Sequence, residues 1–186
     1  MGIRVQTIPE KHLAAIIEEL IGCCLQNPQS AAEVGVSPPH FLYAPDLEAV
    51  AEGQPLKECP PRAARYLVFL GDEVRWAAEI HKDQEPVRCT RISAGPYVTR
   101  TVSLVQRMER LEQVQNGDWE LRLLRIREIS FAALWLKGMT KSGGDLVFPM
   151  SRPFFRPGEL VQPRLEELIR YLQRSAERIE DFKERM

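Results

Sequence analysis

Leu13, Ile16, Ile17, Leu20, Ile21 and Cys24 recur three and four residues apart, which lays one apolar stripe along a helix. Ahead of the stripe, Thr7 and Glu10 form a capping box and Pro9 sits where no donor is needed; Asn27-Pro28 ends the segment. From Arg65 the period changes to two. Tyr66 to Leu70 is an apolar run and Gly71-Asp72 a turn pair, after which Val74, Trp76, Ala78 and Ile80 alternate with Arg75, Ala77, Glu79 and His81. That pattern predicts a β-hairpin with a half-exposed second strand. Val87 to Ile92 and Tyr97 to Val102 are candidates for further strands around Ala94-Gly95-Pro96. Ser103 with Gln106 then opens a helix that Asn116-Gly117 closes.

Trp119, Leu121 and Leu123 alternate, and then Leu124 and Ile126 take over; a one-residue shift of frame predicts a β-bulge. Ile129 to Leu136 is apolar on both faces, as a central strand would be, and Leu146-Val147-Phe148 makes another. Over 163–184, Leu165, Leu168, Ile169, Leu172, Ala176, Ile179 and Phe182 share one face of an amphipathic C-terminal helix. Residues 28–64 carry seven prolines and suggest only a short helix from Asp46 to Glu52, so an irregular segment is expected there. Strands joined by short turns, without βαβ alternation, predict a single α+β domain over 1–186. Its sheet should be mostly antiparallel, with about five or six strands and helices packed mainly on one face.

Composition narrows the class. The 186 residues are 44% hydrophobic and 27% charged, ordinary for a soluble globular chain. The longest apolar run, Phe131 to Leu136, is too short to span a bilayer. Met1 to Gln6 contains no signal-peptide core, and Gln6 stands where a myristoylation signal needs Ser or Thr. A cytoplasmic location is expected, and four cysteines without a pairing framework agree with it. Charge is uneven. Residues 1–60 hold eight acidic and three basic side chains, whereas residues 88–127 hold eight arginines against four acids.

The segment 136–148, LKGMTKSGGDLVF, has the glycine spacing of a phosphate-binding loop in Gly138 and Gly143. Gly144 and Asp145 follow where Lys and Ser or Thr are required, and a strand follows where a helix is required. The segment is therefore read as a chain reversal through glycines at positive φ, with Leu136 and Leu146 leaving and entering neighbouring strands. His12, His40 and His81 are scattered and no Cys-x2-Cys occurs, so no metal ligands and no cofactor are assigned. There is no nucleophile elbow and no paired carboxylates; Cys59 and His40 would have to meet in space. No catalytic residues are assigned, and an enzyme is the less favoured reading.

The leading expectation is a binding domain acting through self-association or a protein partner. Its candidate contacts are Arg152, Phe154, Phe155 and Arg156 in a Pro-flanked loop, and Leu172, Ile179 and Phe182 on the final helix. The alternative is a small-molecule binder or enzyme with a pocket between sheet and helices, lined by Trp76, Trp119 or Trp135 and some arginines. Nucleic-acid binding through residues 88–127 ranks third, because Glu109, Glu112, Glu120 and Glu128 interleave with the arginines.

Overall fold

The N-terminal stripe folds into helix α1 (Glu10–Cys23), burying Ala15, Ile16 and Leu20. Thr7 does not cap it: Pro9 is the N-cap, and no side chain bonds to the free amides. The computed structural model describes residues 2–4, 6–25, 28–52, 59–81, 83–140, 144–151, 162–163 and 165–184. The nine strands are β1 (Gly2–Ile3), β2 (Val34–Val36), β3 (His40–Tyr43), β4 (Ala63–Leu70), β5 (Glu73–His81), β6 (Arg91–Ser93), β7 (Asp118–Ile126), β8 (Phe131–Gly138) and β9 (Leu146–Pro149). The further helices are α2 (Leu47–Ala51), α3 (Pro96–Met108), α4 (Glu112–Asn116) and α5 (Leu165–Glu184).

All nine strands join one sheet in the order β6-β5-β4-β3-β7-β8-β9, with β2 paired to β4 and β1 to β7. The β3–β7 and β1–β7 pairings are parallel and the others antiparallel. The expected α+β class holds, but nine strands replace five or six. β1, β2, β3 and β6 are two to four residues long, too short to carry a period-two pattern. Two of them, β2 and β3, come from the Pro-rich segment read as irregular. Its prolines Pro38, Pro39 and Pro45 flank the strands without entering them.

The helices also differ from expectation, lying on both faces. Strand alternation sends Leu123, Leu134 and Leu136 to Leu104 and Met108 of α3 and Val114 of α4. Leu124, Trp135 and Val147 go instead to Leu47 of α2 and Leu168 and Leu172 of α5. Tyr66, Ala78 and Ile80 meet α1 on that second side. A sheet apolar on both sets of alternating positions needs two covers.

Three local expectations are corrected. Tyr97 to Val102 is the first half of α3, not a strand. Gly95 turns the chain at φ 102°, Pro96 opens the helix, and Val98, Thr101, Leu104 and Met108 are its buried stripe. The helix expected up to Asn116 is two, α3 and α4, parted between Glu109 and Leu111. The bulge expected at 123–124 does not occur: β7 and β8 pair without a break from Trp119↔Gly138 to Ile126↔Phe131. The register instead shifts between Val68 and Phe69, where β4 meets β5. The reversal expected at 136–146 is present, with Leu136 and Leu146 directly opposed across β8 and β9. Residues 141–143, Gly143 among them, lie outside the described residues. Among the described residues, no helix is long and apolar enough to cross a membrane.

Candidate functional site: an arginine-lined cleft

Strand register lines up one row of polar side chains across four strands. Arg91 of β6 opposes Glu79 of β5, Glu79 opposes Arg65 of β4, and Arg65 opposes His40 of β3. Directly paired residues point to the same face of a sheet, so the row faces α3. Arg125 of β7 joins it. Its guanidinium donates to both Glu79 oxygens, Nη2 to Oε1 at 2.6 Å and Nη1 to Oε2 at 3.2 Å. Arg65 Nε lies 3.9 Å from Glu79 Oε1, too far for a hydrogen bond.

The row is buried: His40, Arg65 and Glu79 are each 3% exposed. Arg65 Nη1 donates to His40 Nε2 at 2.9 Å and to Thr101 Oγ1 on α3 at 3.4 Å. A guanidinium only donates, so His40 must be the neutral ring with Nε2 bare and its proton on Nδ1. Burial and the Arg65 charge hold His40 well below the usual imidazole range. Burial lowers Arg65 to about 10, against the attraction of Glu79 and with repulsion from Arg125; it stays charged near neutral pH. Burial alone would raise Glu79, but the Arg125 hydrogen bonds and the charges of Arg125, Arg65 and Arg91 outweigh it and keep the carboxylate below its ordinary value. Arg65 Nε is buried with no hydrogen-bond acceptor.

Above the row opens a cleft of about 540 Å³, within the ordinary range for ligand sites. Among the described residues, Arg65, Arg91, Arg125 and Arg127 line it and no acidic side chain does; Glu79 lies outside the lining. Its apolar part comes from Val98, Leu123, Phe131 and Met150, and its hydroxyls from Ser93, Ser130 and Tyr97. Among the described residues neither Arg91 nor Arg127 has an ion-pair partner. The arrangement supplies fixed positive charge over an apolar surface. It offers no described nucleophile or general base.

The residues singled out from sequence fall elsewhere. Leu172 is fully buried in the chain's own core, and Ile179 packs half-buried against the same cluster. Arg152, Phe154, Phe155 and Arg156 lie outside the described residues, as does the side chain of Phe182. The three tryptophans are not brought together. Trp119 packs under α3 and α4, Trp135 under α5, and Trp76 at the edge of the α1 cluster. Arg122, three residues before Arg125, points to the opposite face, where it sits 4.5 Å from the Tyr43 ring and 4.9 Å from Trp135 and bonds Glu120. His40 is held by Arg65 and Cys59 bonds the Pro60 carbonyl, with no hydrogen bond between the two. Among the described residues no group of three His, Cys, Asp or Glu side chains is placed to hold a metal ion.

No protein-family model, curated protein or solved structure matches the chain.

Proposed function

We propose that the protein is a binding protein for a small anionic ligand, which the cleft between the sheet and α3 receives. The observation that carries this reading is a lining of four arginines with no carboxylate among the described residues. Three of the four, Arg65, Arg91 and Arg125, share the single carboxylate of Glu79, and Arg127 has no ion-pair partner among the described residues, so the site keeps an excess of positive charge. Guanidinium groups over a low-dielectric surface bind oxyanions through charge-assisted, often bidentate hydrogen bonds. The apolar lining of Val98, Leu123 and Met150, beside the exposed Tyr97, favours an organic ligand over a bare inorganic ion.

Titration of isotope-labelled protein with sulfate, phosphate, citrate and benzoate, followed by amide NMR, tests the reading. Saturable shifts at Ser93, Tyr97 and Ser130 are expected from at least one anion, and the Arg91→Ala/Arg127→Ala double variant should weaken them about tenfold or more. Both side chains are exposed, so the fold should survive. Absence of saturable shifts, or shifts indifferent to the double variant, would refute the proposal.

A further inference from the structure

We infer that the ligand of this cleft is a phosphomonoester-type dianion carrying a flat apolar or aromatic group; the inference rests on the anion-binding reading above. Charge decides the first half. Among the described residues the lining holds four guanidiniums, and one carboxylate, Glu79 behind it, offsets Arg65, Arg91 and Arg125 together. That excess of positive charge is better matched by a group bearing about two charges near neutral pH than by one carboxylate.

Local backbone adds to this. Helix α3 begins at the cleft, with Ala94, Tyr97 and Val98 in the lining. Its first turn has no side-chain cap and no acidic residue, while Val98 N and Thr99 N donate to Gly95 O. A second and independent sign is Arg65. It is 3% exposed, it lines the cleft, and its Nε donates to no acceptor. An unsatisfied buried donor is unfavourable, and with Glu79 Oε1 3.9 Å from this one, the guanidinium keeps its positive charge beneath the cleft.

The second half comes from Tyr97. Its ring is 44% exposed, unusual for a large side chain next to a buried cluster. It stands at the cleft with the Arg100 guanidinium 5.5 Å from its centroid. Val98 and Leu123 belong to the same lining. A ligand whose phosphate meets Arg91 and Arg127 therefore has an aromatic surface within the same cleft for its non-polar part to stack upon.

Calorimetric titration at fixed ionic strength with phenyl phosphate, inorganic phosphate and benzoate separates the parts. Phenyl phosphate should bind at least tenfold more tightly than either of the others. Tyr97→Ala should weaken phenyl phosphate by roughly tenfold, the size of a lost ring stack, while leaving inorganic phosphate unchanged. Benzoate binding as tightly as phenyl phosphate, or a silent Tyr97→Ala, would overturn the ligand class while the anion-binding cleft stood. If none of these three probes nor the anions above bound, the cleft reading itself would fall, and this inference with it.

Discussion

Replacing His40 with glutamine removes a titrating ring while keeping an acceptor for Arg65. The imidazole sits wholly inside, accepting from Arg65 Nη1, and its folded value lies well below the ordinary 6.5 because burial and the neighbouring guanidinium disfavour imidazolium. The unfolded chain takes up a proton as pH falls through about 6.5, and the folded chain does not. Stability from this residue is therefore complete above that pH and is lost as pH falls toward the lower folded value. The slope for one proton approaches about 1.4 kcal/mol per pH unit, and the loss accumulates across the window between the unfolded and the lower folded value. One such unit is a sizeable part of the 5–15 kcal/mol roughly typical of a domain. His12 is also lowered, chiefly by burial, and contributes with the same sign, but it is common to both proteins and cancels in the difference. Urea unfolding at intervals between about pH 7.5 and 5 measures the effect. The stability of His40→Gln relative to wild type should rise as pH falls below about 6.5, with a slope approaching about 1.4 kcal/mol per pH unit. Parallel pH profiles would show that His40 does not carry the depressed value, and the neutral-imidazole account of the row would be wrong.

Two further substitutions probe the same architecture. Glu79→Gln leaves Arg65 and Arg125 facing each other without their carboxylate; losing one partner of a buried pair costs about 3–5 kcal/mol, or on the order of 10 °C in Tm for a chain of this size. A melting temperature unchanged to within about 2 °C would mean the pair contributes little. Glu79→Gln should also lose the acid sensitivity that this carboxylate gives the wild type, whose stabilisation holds above the usual carboxyl range and fades as pH falls through its lowered folded value. Gly117→Ala would drive a methyl into the buried Trp119 indole and should destabilise by about 1–3 kcal/mol, with an altered tryptophan near-UV signal. Gly144→Ala, which meets nothing, is the control, and equal effects from the two would contradict the packing described at Trp119.

The elements legible in sequence are those whose period had room to repeat. Helix α1, the β4–β5 hairpin, β8, β9 and α5 all extend far enough for an apolar pattern to declare itself, or follow a strong turn signal. What escaped is set by tertiary pairing. β3 is four residues between prolines, yet it bridges β4 and β7 and so fixes the centre of the sheet. Nothing local distinguishes His40 to Tyr43 from a loop; only its partners make it a strand. The Tyr97–Val102 error has a different cause. β-Branched and aromatic residues suggested a strand there, while Gly95-Pro96 started a helix whose buried stripe continues into Leu104 and Met108.

The cleft was visible only as composition. An excess of arginine over residues 88–127 could be counted, but a count does not say which side of a strand each one takes. Arg122 and Arg125 differ by an odd number of positions on β7, so one is stacked on Tyr43 and Trp135 while the other pairs with Glu79 across the sheet. The usable signal lay in β4, AARYLVFL, where one arginine interrupts a strand that is otherwise apolar throughout. A charge in such a strand is seldom fully buried unless it is paired. Apolar residues of similar volume often stabilise a core as well as a buried ion pair does. Arg65 keeps its charge there with one donor unanswered, directly under a cleft without acids. Stability alone gives little reason for that arrangement, whereas an anion seated on the row would give one.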